Sequence, residues 1–153
     1  MWRAFTNWLL SLRTYRDLSP DQGLRHRINV QLRRSRLELS LEDWIQTFAD
    51  PKFSSESQVP PESLLQFVYD QLGIHSGLAV GCIRPRDRLI QDLHLPLVCW
   101  FDWPHQFCQD FGDTFHIDMA DEFDESHFDT VADLVVFLHR QLVAMDSLSS
   151  GQT

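Results

Sequence analysis

Residues 130–145 read TVADLVVFLHRQLVAM, and their spacing decides the fold class. Val131, Leu134, Val135, Leu138 and Leu142 return at the helical period, so they share one face of a helix. Thr130 or Asp129 can cap it, because a short oxygen-bearing side chain accepts a hydrogen bond from the first free amides. Upstream, Pro61 opens PESLLQFVYDQLG, with Leu64, Leu65, Val68 and Leu72 on one face and Gly73 as the expected stop. Between these two helices, Phe107, Phe111 and Phe115 lie four apart, which predicts a third helix resuming at Pro104. DMADEFDESHFD, residues 118–129, reads as an acidic connection with room for one helical turn.

Residues 74–101 are a long connection broken by Gly77, Gly81, Pro85 and Pro96, with LAVGCI locally extended. The segment is rich in apolar residues, so it is expected to be ordered and packed. Towards the N-terminus, Trp2, Phe5, Leu9 and Leu12 fall at helical spacing with Trp8 and Tyr15 beside them. Ser19 and Pro20 signal another start, followed by a sparse pattern of Leu24, Ile28, Val30 and Leu32. SLED at 40–43 is a capping-box variant that opens a short helix carrying Trp44, Ile45 and Phe48. A Pro- and Ser-rich linker follows. The expected division is a basic helical extension and linker over 1–55, a helical domain over 56–146, and a disordered tail over 147–153.

The chain has 153 residues and 43% hydrophobic content, enough for one ordinary core. Its net charge is −9, unevenly spread. Eight arginines stand against Asp17 and Asp21 in residues 1–36, a balance of +6, which leaves −15 for the rest. So acidic a domain repels phosphates, which argues against nucleic acid as a partner. No apolar run approaches the ~18 residues of a membrane span. The start MWRAFTNWLLSLR is too short and too polar for a secretory signal. Three cysteines without a paired rhythm fit a reducing compartment, so the expected location is the cytoplasm.

The order of these pieces resembles an acyl carrier protein over roughly residues 60–144. PESLLQFVYDQLGI is similar to that family's first helix. IRPRDRLIQDL is similar to its long loop, with Asp92-Leu93 as the Asp-Leu pair. FHIDMAD resembles the Phe-Gly-Ile-x-Ile-Pro-Asp stretch, departing at Met119 and Ala120, and DTVADLVVFL resembles the last helix. The resemblance implies an all-α, small acyl-carrier-like bundle of three to four helices, with a long loop after the first and a helical N-terminal extension. It also implies a serine at the start of the second helix, where a transferase attaches 4′-phosphopantetheine. Here Phe101 occupies that position, and residues 92–108 hold no serine or threonine. The chain therefore resembles serine-less, carrier-like proteins of bacteria, and neither an arm nor another cofactor is expected.

The candidate partner-binding residues are Trp100, Phe101, Asp102, Trp103, Asp110 and Asp113. Three rings within four residues can fill the core or form a docking face, and they can hardly all point inward from a helix start. The acidic residues can steer a basic partner or simply solvate a surface. In the N-terminal arm, Trp2, Arg3, Phe5, Trp8, Arg13 and Arg16 can serve a partner, make weak contact with a membrane surface, or fold back on the acidic domain. His94, Cys99, His105 and Cys108 lack a tight Cys-x-x-Cys pair, so no metal is expected. With no Gly-rich phosphate loop, no Gly-x-Ser-x-Gly and no His-Glu-x-x-His, no enzyme and no small-molecule substrate are expected. The expected function is a non-catalytic, carrier-like module that docks a protein. The alternatives are a true carrier modified elsewhere, with Ser76 as the nearest hydroxyl, and a peripheral membrane or scaffold protein acting through its arm.

Overall fold

The computed structural model describes residues 19–50 and 59–151. Among these there are six α-helices and no strand. They are α1 (Gln22–Ser35), α2 (Leu41–Gln46), α3 (Glu62–Ser76), α4 (Leu95–Val98), α5 (Trp103–Phe115) and α6 (Val131–Ser150), with 3-10 turns at Val80–Cys82 and Glu125–His127.

The stretch at 130–145 forms α6 as its spacing predicts. The Thr130 hydroxyl accepts from the Asp133 amide at 3.1 Å, and the Asp133 carboxylate accepts from the Thr130 amide at 3.0 Å. This capping box satisfies amides that a helix start leaves open. Val131, Leu134, Val135 and Leu138 are buried, and this face packs against α3, where Leu64, Leu65, Val68 and Leu72 are buried in turn. The helix then continues through Ser150, into the stretch over 147–153 that was expected to be a disordered tail. Ser147 and Ser150 each donate a hydroxyl to the carbonyl four residues back, which the helical backbone allows.

α3 also runs further than expected. Gly73 does not stop it; the chain leaves the helix at Gly77, which takes the left-handed conformation (φ 65°) that side chains resist. The Gly77 amide closes on the Gly73 carbonyl at 3.0 Å.

α1 is capped by Asp21, whose carboxylate accepts from the Leu24 amide at 3.0 Å, and not by Ser19 with Pro20. Ser40 caps α2 as expected, accepting from the Asp43 amide at 3.2 Å. The apolar pattern of α1 is sparse because only Ile28 and Leu32 reach the interior. Polar bonds to the long connection do the rest. Asn29 donates to the Gly77 carbonyl at 3.1 Å and accepts from the Ala79 amide at 2.8 Å. Arg36 makes a bidentate pair with Asp87, one arm at 2.8 Å, and Asp87 is 5% exposed. The Leu39 amide donates to the Gly81 carbonyl at 2.9 Å, a close approach that a side chain at Gly81 would block. The Trp44 indole, fully buried, donates to the Ile83 carbonyl at 3.0 Å.

These bonds explain how residues 77–102 stay ordered with little regular structure. A buried backbone carbonyl needs a donor, and the N-terminal helices supply several. The connection packs as expected: Leu78, Ile83, Leu89, Leu93, Leu95 and Val98 are buried. LAVGCI, however, forms a 3-10 turn and not an extended segment. Ile28, Leu32, Trp44 and Phe48 belong to the same hydrophobic core as α3, α5 and α6. Residues 22–48 are part of the body.

Candidate functional site

The site is the approach to α5 and that helix itself. The chain turns at Trp100–Asp102 and enters α5 at Trp103, one residue before the expected Pro104; the Trp103 amide donates to the Trp100 carbonyl at 3.1 Å. Pro104 then stands in the first turn, where its missing amide hydrogen costs nothing. Trp103, Phe107 and Phe111 lie four apart and are buried. Phe67 of α3 meets Phe107, Phe111 and Phe115 at centroid distances of 5.5, 5.6 and 5.4 Å. Phe123 stacks on Phe107 at 5.4 Å and lies 6.4 Å from Trp103.

Trp103, expected with the docking residues, is buried. It is 7% exposed and forms the edge of this aromatic core. Being the first residue of α5, it shares the inward face of Phe107. Trp100 and Phe101 precede the helix and are 42% and 63% exposed. Leu97, on α4, is exposed beside them in sequence and was not singled out from the pattern. A short helix that buries Leu95 and Val98 leaves Leu97 outside, and so short a helix leaves no readable period.

Asp102 and Asp110 are half-buried and Asp113 is exposed. The negative charges of Asp110 and Asp102 act on His75, near the end of α3. Its imidazole is 2.9 Å from the Gln71 amide oxygen, and burial holds its pKa below 6.5 against the pull of the two acids.

Ser76 is not an accessible hydroxyl. It is fully buried, donates to the Leu72 carbonyl and accepts from the Leu78 amide at 3.1 Å. An attached arm there would have to open the end of α3. The thiols offer no substitute. Burial pushes Cys99 up to about 12 and Cys108 up to about 11, so both stay protonated and weakly nucleophilic at neutral pH. His105 and Cys108 line a shallow groove with Asp113, His116 and Asp118. Among the described residues no group of three His, Cys, Asp or Glu side chains is placed to hold a metal ion. His94 sits elsewhere, with Arg36, Asp87 and Asp92. The arm residues Trp2, Arg3, Phe5, Trp8, Arg13 and Arg16 lie outside the described residues.

No described helix is long and apolar enough to cross a membrane. Compared with family models, curated proteins and solved structures, the chain matches none.

Proposed function

We propose that the chain is a non-catalytic, acyl-carrier-like module that docks a basic protein partner without a phosphopantetheine arm. The observation that carries this reading is Phe101. It stands where the resemblance puts the modified serine, two residues before α5, and it is 63% exposed. An aromatic ring left in water costs hydrophobic free energy that a partner can recover. Leu97 and Trp100 extend the apolar surface, and Asp102, Asp110 and Asp113 supply negative charge beside it. The element order also supports the reading: a helix over 62–76, a long packed connection, a helix over 103–115, a 3-10 turn, and a last helix from 131. The partner meets this face in the cytoplasm.

The test joins two measurements. Intact mass is taken after co-expression with a broad-specificity phosphopantetheinyl transferase and coenzyme A; the expected mass is that of the bare chain. A photo-crosslinking phenylalanine analogue at position 101 is then expected to trap a discrete protein adduct, weakened by Asp110→Lys with Asp113→Lys. A mass gain equal to the arm overturns the reading in favour of a true carrier. An adduct pattern no different from that of the same probe at exposed Leu37 overturns the docking face.

A further inference from the structure

Two stretches of the described chain carry Asp, Glu, Lys and Arg charge of one sign each. α1 holds four arginines and no acid, while residues 102–129 hold nine Asp or Glu and no Lys or Arg. Ile28 and Leu32 turn one side of α1 to the core. The opposite side carries His26, Arg27, Arg33 and Arg34, all exposed, around half-buried Val30. Arg25 is not among them, since its guanidinium donates to the Val98 carbonyl at 2.6 Å. Arg33 lies 3.8 Å from Glu38, an exposed pair that water and salt weaken. The face at α4 and α5 offers the converse: Leu97, Trp100 and Phe101 exposed, with Asp102, Asp110 and Asp113 in the adjoining stretch. The two surfaces meet where α1 begins, because the Asp21 amide donates to the Leu97 carbonyl at 2.9 Å.

We infer that the basic partner of this face is a second copy of the chain, which lays the outward side of its α1 on Leu97, Trp100 and Phe101 and brings its arginines to Asp110 and Asp113. The inference rests on the reading of that surface as a docking face. Because α1 starts against α4, a two-fold axis beside that joint lets both copies make the contact at once. Such self-complementary pairing is the commonest closed symmetry, and every favourable contact in it is made twice. Val30 and the alkyl stems of the arginines cover the exposed rings, and guanidinium planes stack on aromatic faces. Net charge works against the pair, since two chains of −9 repel. That repulsion is spread over whole surfaces and is screened beyond about 8 Å at physiological salt, whereas arginine and carboxylate in contact act at shorter range. Local complementarity therefore outweighs the net charge. The rings supply the holding power and the ion pairs supply register.

The experiment is sedimentation equilibrium of the full chain over a range of concentrations. The expected result is a reversible dimer whose dissociation constant rises about tenfold between roughly 0.05 and 0.5 M salt. Arg27→Glu, Arg33→Glu and Arg34→Glu together should leave a monomer, and so should Asp110→Lys with Asp113→Lys. An equimolar mixture of these two variants should regain the dimer, because each reversed face then meets its opposite. A native chain that stays monomeric overturns the inference, as does a dimer indifferent to either set of reversals or a mixture that stays monomeric. Circular dichroism checks that each variant folds. Should one fail, the photo-crosslinking phenylalanine at position 101 of the otherwise native chain decides: a crosslink to residues 26–34 of a second copy upholds the inference, and a crosslink only to other positions overturns it. The same probe separates the two readings. Capture of another protein in cells in place of a copy overturns this inference alone and keeps the docking face. The absence of any adduct at position 101 overturns the docking face and this inference with it.

Discussion

Trp103 and Phe101 stand two residues apart in one aromatic stretch, and the first is 7% exposed while the second is 63% exposed. Composition does not separate them. Position relative to the helix start does. Trp103 is the first residue of α5 and inherits the direction of Phe107 and Phe111, which point at Phe67. Phe101 lies in the turn before it, where no helical period applies. The comparison teaches that one ring is held by the core while its neighbour is left for whatever meets the surface.

The first way to break the comparison is Trp103→Ala, which should cost about 3–5 kcal/mol in chemical denaturation, since it deletes a large buried ring. A loss below about 1 kcal/mol would mean Trp103 behaves like Phe101. Next is Asp87→Ala. The loop that presents Phe101 is held by the Arg36–Asp87 pair, and Asp87 also accepts from the Arg84 amide at 2.8 Å. Arg36 is partly exposed, so losing the buried carboxylate should cost about 1–3 kcal/mol, and should raise hydrogen exchange across 77–102.

A smaller effect is pH-dependent. His75 is held below its ordinary pKa of 6.5 by burial, so its neutral form is favoured in the folded state. Between the folded pKa and about 6.5 the unfolded chain binds more protons, so stability is lost as pH falls through that window. His75→Gln should flatten the drop in melting temperature between pH 7.5 and 5.5; an unchanged drop would show that the ring takes no part. The smallest effect sharpens the comparison most. Phe101→Ala should change stability by no more than about 0.5 kcal/mol, as exposed substitutions do. A change near that of Trp103→Ala would end the idea of an outward ring.

Much of the fold was legible along the chain. α6 and α3 declared themselves because an amphipathic helix repeats its apolar residues at fixed spacing, and Ser40 and Thr130 announced their caps through local hydrogen bonds. The ends were less legible. Gly73 looked like a stop, but a glycine ends a helix only where the chain turns left-handed, and that happens at Gly77. α1 was hard to see because its hold on the body is largely polar, through Asn29 and Arg36, and hydrogen bonds across about fifty residues leave no periodic trace.

The candidate site was legible in composition and not in orientation. The absence of a hydroxyl between 92 and 108, the cluster of rings, and the charge imbalance between the first 36 residues and the rest are properties of the sequence alone, because they depend only on which residues are present. Tertiary structure decided the rest. It buried Ser76 and the thiols, turned Trp103 inward, left Leu97 and Phe101 outside, and joined residues 22–48 to the core. The physical reason is that burial belongs to pairs of distant segments: a ring is inside only when another part of the chain covers it.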